Sequence, residues 1–146
     1  MKNISYIGRM LLSNQQLTIN KILDLNKFTE KRGLLLNEKQ AISLINNRNR
    51  CLKELGRIEI GSGTLEKIIY TFYTSSYIDK DNYLEILEEL TNIFYLYQNE
   101  FDNKLTDEQI IEYIKKSYEE CGTIELLEGL YLENLRNKLL NGEAYE

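Results

Sequence analysis

The chain contains no histidine, proline, tryptophan or valine, and only two alanines and two cysteines. Without histidine there can be no Ser-His-Asp triad, Cys-His dyad, histidine-ligated zinc or Glu-x-x-His di-iron site. The cysteines, Cys51 and Cys121, stand 70 positions apart with no C-x-x-C spacing, so zinc-ribbon and thioredoxin-like motifs are absent. Two reduced thiols fit a cytoplasmic protein better than a disulfide framework does. No apolar run approaches the roughly 18–20 residues of a membrane span, and Arg9 interrupts the one N-terminal stretch that resembles a signal sequence. The expectation is therefore a cytoplasmic protein with no membrane association.

What is present fits one helical domain over residues 1–146. A composition 42% hydrophobic and 28% charged excludes disordered, collagenous and membrane classes. The net charge of −5 is unevenly divided: residues 1–78 carry 12 Lys/Arg against 6 Asp/Glu, and residues 79–146 carry 6 against 17. Such a division either holds two halves of a fold together or presents two faces of opposite sign.

Helical periodicity runs through most of the chain. Ser13 with Gln16 reads as a capping box ahead of Leu17, Ile22 and Leu25, and Gly33 reads as the stop. Leu34–Leu36 form an extended connector. Asn37 with Gln40 opens a second helix whose apolar face carries Ile42, Ile45, Leu52 and Leu55 and ends at Gly56. Asn49 falls on that face and is expected to be buried with hydrogen-bond partners. Arg57-Ile58-Glu59-Ile60 alternates polar and apolar, as a short strand would, with Ile4–Ile7 as its candidate partner. Gly61-Ser62-Gly63-Thr64 is a turn and cap before Leu65, Ile68, Ile69 and Phe72, and that face fades at Thr74–Ser76. From Asp79 the stripe Tyr83, Leu87, Leu90, Phe94, Tyr97 and Phe101 repeats every three and four residues, widened by Ile86 and Ile93. A stripe this wide belongs to the central helix of a bundle. Thr106 with Gln109 caps Ile110, Ile111, Ile114 and Tyr118, which end at Cys121-Gly122. Thr123 caps a last helix with Ile124, Leu127, Leu130, Tyr131, Leu135 and Leu139 inward, and Gly142 ends it. The reading is an all-α, bundle-like fold of about six helices joined by short turns.

Chemistry-bearing residues concentrate between Arg48 and Tyr77. Gly61 and Gly63 precede a helix N-terminus, where backbone N–H groups with Arg57 and Lys67 would suit an anion; a turn with a cap explains the same residues. Arg48 and Arg57, with Asn49 and Glu59, could clamp a carboxylate or phosphate, or else serve a helix C-terminus and the acidic half. Cys51, among Arg48, Arg50 and Lys53, has a better setting for a thiolate than Cys121 beside Glu119 and Glu120, although a free cysteine is often a small core residue. Glu88-Glu89, Glu119-Glu120, Glu112 and Glu125 could supply a metal or acid/base pair, but Glu85, Glu88, Glu89 and Glu100 mostly fall opposite the stripe, so solvent exposure is the expectation. Tyr70, Tyr73 and Tyr77 suit an interface, with core filling as their default role, and Tyr95, off the stripe, is expected to be exposed.

The stretch from Gly33 to Leu135 resembles a helical domain family, itself without assigned function, of Gram-positive, spore-forming anaerobes. Gly33-Leu34 with Glu38 and Ala41, Arg48-Asn49, Gly56-Arg57-Ile58-Glu59 and Gly61-Ser62-Gly63 carry the first part of the likeness. Glu66-Lys67, Ile69-Tyr70, Phe72, Ser76-Tyr77-Ile78, Asn82-Tyr83, Phe94-Tyr95, Asn99-Glu100 and Cys121-Gly122 carry the rest. Ser62 and Tyr73 depart from the glycine and cysteine such relatives would place there. The resemblance implies a self-contained protein and brings no activity with it.

The leading expectation is a non-enzymatic adaptor or accessory subunit that binds another protein through Arg48–Tyr77. A small-ligand or anion-binding module, with or without enzymatic activity, built from Arg48, Asn49, Arg57, Glu59 and the Gly61–Gly63 turn is the alternative, and a nucleic-acid-mimicking acidic decoy the third. No motif calls for a metal or cofactor. The acidic half would repel a duplex, which disfavours direct nucleic-acid binding, and any exposed part of the Tyr83–Phe101 stripe would allow a homo-oligomer.

Overall fold

A computed structural model describes the backbone of residues 6–142 and the side chains of residues 15–142. Among them there is no strand. Six helices have ten or more residues: α1 (Tyr6–Asp24), α3 (Glu38–Leu55), α4 (Gly63–Phe72), α5 (Tyr83–Phe101), α6 (Asp107–Cys121) and α8 (Leu130–Leu140). Two are short, α2 (Asn26–Thr29), which runs into a 3-10 turn at Glu30–Arg32, and α7 (Ile124–Glu128). The all-helical expectation holds.

Several boundaries fall where side chains dictate. Asn37 and Gln40 exchange backbone and side-chain hydrogen bonds at the start of α3, and Thr106 and Gln109 do the same for α6. Gly33, Gly56 and Gly122 end their helices at φ near +70°, a conformation costly for residues with a Cβ. Three expectations need correction. α1 starts at Tyr6, so Ser13 lies within the helix; Met10-Leu11-Leu12 are good helix formers and nothing stops the helix before them. The pairing of Ile4–Ile7 with residues 57–60 fails at Tyr6 and Ile7, which are helical, while Ile4 lies outside the described residues. The last helix breaks at Gly129, which leaves Leu130 half exposed rather than inward.

α5 is the centre. Tyr83, Leu87, Leu90, Ile93, Phe94, Tyr97 and Phe101 are buried as the stripe requires, and α3, α4, α6 and α7 all pack on the helix. The stripe is thus consumed within the chain. Tyr95 is 1% exposed, contrary to expectation, because neighbours surround α5 on several sides. Burial pushes the Tyr83 hydroxyl up to about 12. The Arg32 guanidinium, from the turn after α2, donates to the carbonyls of Tyr73 (3.1 Å), Ser75 (3.2 Å) and Ile78 (3.4 Å), tying down the α4–α5 connection.

The charge division partly joins the halves: Arg57 pairs with Asp102 at 2.5 Å and Lys67 with Glu108 at 2.7 Å. The carboxylates of α5 are not uniformly in solvent. Glu85 is exposed, whereas Glu88 is half-buried and accepts from the Ser43 hydroxyl at 2.8 Å. Partial burial pushes the Glu89 carboxyl up. Arg136 of α8 holds Glu100 from two nitrogens, Nη2 at 2.8 Å and Nε, and its hydrogen bonds keep the carboxyl below its usual 4.5.

At Gly122 an added Cβ would lie 2.6 Å from the Tyr77 ring, whereas at Gly33 it would meet nothing within 4 Å. Both sites have φ near +70°. Gly33→Ala is therefore expected to cost about 1–2 kcal/mol from the backbone alone. Gly122→Ala should cost more, with the excess removed by Tyr77→Ala in a double-mutant cycle read by urea denaturation. The Glu100 contribution has a defined pH window. The folded carboxyl titrates below the usual 4.5, so its stabilisation is complete above that pH and is lost as the pH falls through the lowered value. Arg136→Ala is expected to flatten that acid limb, measured as Tm against pH.

Candidate functional site

The polar residues singled out near the end of α3 do meet, but rotated from the expected positions. The buried stripe of α3 runs through Ala41, Leu44, Ile45, Arg48, Cys51 and Leu52. Arg48, 4% exposed, is thus the buried polar residue and Asn49 is exposed. A change of one residue turns a helix by about 100°, enough to exchange the two. The Arg48 guanidinium makes three hydrogen bonds: Nε donates to Asn49 Oδ1 at 2.8 Å, and Nη1 donates to Glu59 Oε1 at 3.1 Å and to the Gly61 carbonyl at 2.9 Å. The Tyr95 hydroxyl lies 2.9 and 2.8 Å from the two Glu59 oxygens and donates to that carboxylate. Burial first, then the adjacent Glu59 charge, pushes the Tyr95 hydroxyl well up, so it stays protonated as a donor.

This network fixes the connector between α3 and α4. After Gly56 turns the chain, Arg57 donates to Gln98 Oε1 (3.2 Å) and pairs with Asp102, and Gln98 in turn donates to Asp107 (3.0 Å). Arg57, Glu59 and the Gly61 carbonyl point inward. Side chains of an extended chain alternate, so Ile58 and Ile60 point out, at 93% and 95% exposed. No hydrogen bond within the described chain engages the backbone of Ile58, Glu59 or Ile60. The expected strand is thus an extended connector without a partner strand. A groove of about 340 Å³ runs beside it, lined by Asn49, Leu52, Lys53, Arg57, Ile58 and Glu59.

The chemistry left over is narrow. Arg48 and Arg57 already hold carboxylates, whereas Lys53 has no carboxylate partner among the described residues. Ser62 makes no side-chain cap on α4; its hydroxyl instead donates to Glu66 at 2.6 Å. Gly63 opens α4 with open space where a Cβ would be. Tyr70 and Tyr77 lie outside this network. Tyr70, 58% exposed, packs on Phe28 and Tyr73, and Tyr77 packs on Tyr118. The Cys51 thiol donates to Asn92 Oδ1 at 3.1 Å, and burial outweighs Arg50 in pushing it up, which removes the thiolate reading. Among the described residues no group of three or more Cys, Asp and Glu side chains is placed to hold a metal ion, and no helix is long and apolar enough to cross a membrane. The parts that sequence reasoning missed are Tyr95, Gln98 and the outward isoleucines. The alternation at 57–60 is the one visible signal for the isoleucines, and nothing local marks Tyr95 or Gln98.

Residues 21–145 match a family of unknown function (DUF6323). The chain belongs to that family. No curated protein and no solved structure matches it. The matched span includes the connector and the residues that anchor it.

Glu59→Ala would strand the buried Arg48 charge and is expected to cost about 3 kcal/mol or more. Tyr95→Phe removes one hydrogen bond and is expected to cost about 1 kcal/mol. Urea denaturation of both variants checks the order.

Proposed function

We propose that this protein is a binding module, an adaptor or accessory subunit, that receives an extended segment of another protein along residues 57–61. The carrying observation is the nearly complete exposure of Ile58 and Ile60 on a connector whose inward residues are anchored by Arg48 and Tyr95. All the other isoleucines with described side chains are buried or partly buried in the core. An exposed stretch with unpaired N–H and C=O groups is a template for strand addition. Covering two isoleucines contributes about 3–6 kcal/mol before ordering costs. Lys53, in the groove beside Ile58, favours a segment that carries a carboxylate next to its aliphatic residues. Arg48 and Arg57 are each paired with a carboxylate, which leaves the alternative anion site without its two arginines.

The test is capture by the tagged chain in a Gram-positive, spore-forming host, the source that the sequence resemblance implies, with the I58D/I60D variant alongside. One stoichiometric protein retained by the native chain and lost by the variant, with Tm unchanged, is the expected result. Equal retention by both, or none by the native chain, overturns the proposal.

A further inference from the structure

A second site lies on the opposite half of the sequence, between α6 and α8. The chain turns at Gly129 (φ −112°, ψ −86°), and α7 packs against both α6 and α8. A cleft of about 410 Å³ lies between these two helices, within the size range of small-molecule pockets. Tyr113 and Tyr131 give it apolar surface, and its polar side chains are Lys116, Ser117 and Glu120 from α6 and Asn134, Asn137, Lys138 and Asn141 from α8 and its end. The asparagines recur at spacings of three and four, so they share one helix face. Ser117 is 3% exposed. The Tyr113 hydroxyl donates to the Tyr131 carbonyl at 2.7 Å and ties the two walls together.

Lys116, Asn134, Asn137 and Asn141 are exposed and Lys138 is half-buried, and two features mark the cleft they line. Lys116 and Lys138 both line it without a carboxylate partner among the described residues, although residues 79–146 hold 17 carboxylates. The side-chain amides of Asn134, Asn137 and Asn141 likewise make no hydrogen bond within the described chain. Glu120, the one carboxylate of the cleft, takes the Tyr131 hydroxyl at 3.4 Å, so the cleft carries one net positive charge. Concave, cationic and rich in free amides, it offers charge neutralisation from two directions and several donors and acceptors between them.

We infer that the α6–α8 cleft binds a small anion, a metabolite bearing a carboxylate or phosphate together with hydroxyl or amide groups. Lys116 and Lys138 take the charged end, and the asparagine amides read the remaining polar groups.

The test uses the full chain, with inorganic phosphate and L-glutamate as separate probes, followed by NMR of the asparagine side-chain amides. Saturable shifts at Asn134 and Asn137 with either probe are expected, and the probe that produces them names the charged group. K116Q/K138Q is expected to weaken that binding about tenfold or more. K115Q, which alters the ion pair of Lys115 with Glu119 outside the cleft, should leave it intact. Circular dichroism confirms that each variant is folded. Shifts that fail to saturate with both probes, or saturation that survives K116Q/K138Q unchanged, overturn the inference.

Discussion

The interior position of α5 is the constraint on which the rest of the fold depends. A helix covered by α3, α4, α6 and α7 must bring its polar atoms into the core with it, and each of those atoms needs a partner. The Thr91 hydroxyl returns to the Leu87 carbonyl of its own helix. The others reach outward: Tyr95 to Glu59 of the connector, Tyr97 to the Leu127 carbonyl of α7 at 2.8 Å, and Gln98 to Asp107 at the start of α6. The polar tips of α5 therefore set where the connector, α6 and α7 can lie. No buried side-chain nitrogen or oxygen among the described residues lacks a partner.

The same account explains what the candidate docking edge is made of. Arg48 and Tyr95 share Glu59, and an extended chain whose Glu59 side chain is held inward turns the flanking Ile58 and Ile60 outward. Burial of an ion pair is weak evidence for stability, since apolar replacements of similar volume often do as well. Its use here is positional: it selects which residues of a five-residue connector face water.

Much of this was legible in the sequence, and what was not has physical reasons. Capping boxes at Asn37 and Thr106 and stops at Gly33, Gly56 and Gly122 are local, so local spacing revealed them. The stripe from Tyr83 to Phe101 was legible because its period is regular. The burial of Tyr95 was not, because a helix covered on several sides shows no stripe on its second face. Arg48 and Asn49 exchanged roles because a periodic face fixes a helix rotation only to within about one residue, and the side chain that wins is the one with acceptors arriving from elsewhere in the chain. The break at Gly129 was hidden because the apolar residues on both sides keep a helical spacing.

The connector has one more consequence, for how the chain is held together. It is the covalent link between the segment ending with α3 and the segment beginning with α4, yet Ile58 to Ile60 make no backbone hydrogen bond within the described chain. The two segments are joined chiefly through the packing of α3 on α5 and the side chains of Arg48, Arg57 and Glu59. An exposed, unpaired stretch of this kind is also what a protease active site accepts. The segments on either side of the connector meet through the buried contact of α3 with α5, so the bridge between them is covalent at one exposed stretch and non-covalent in the core.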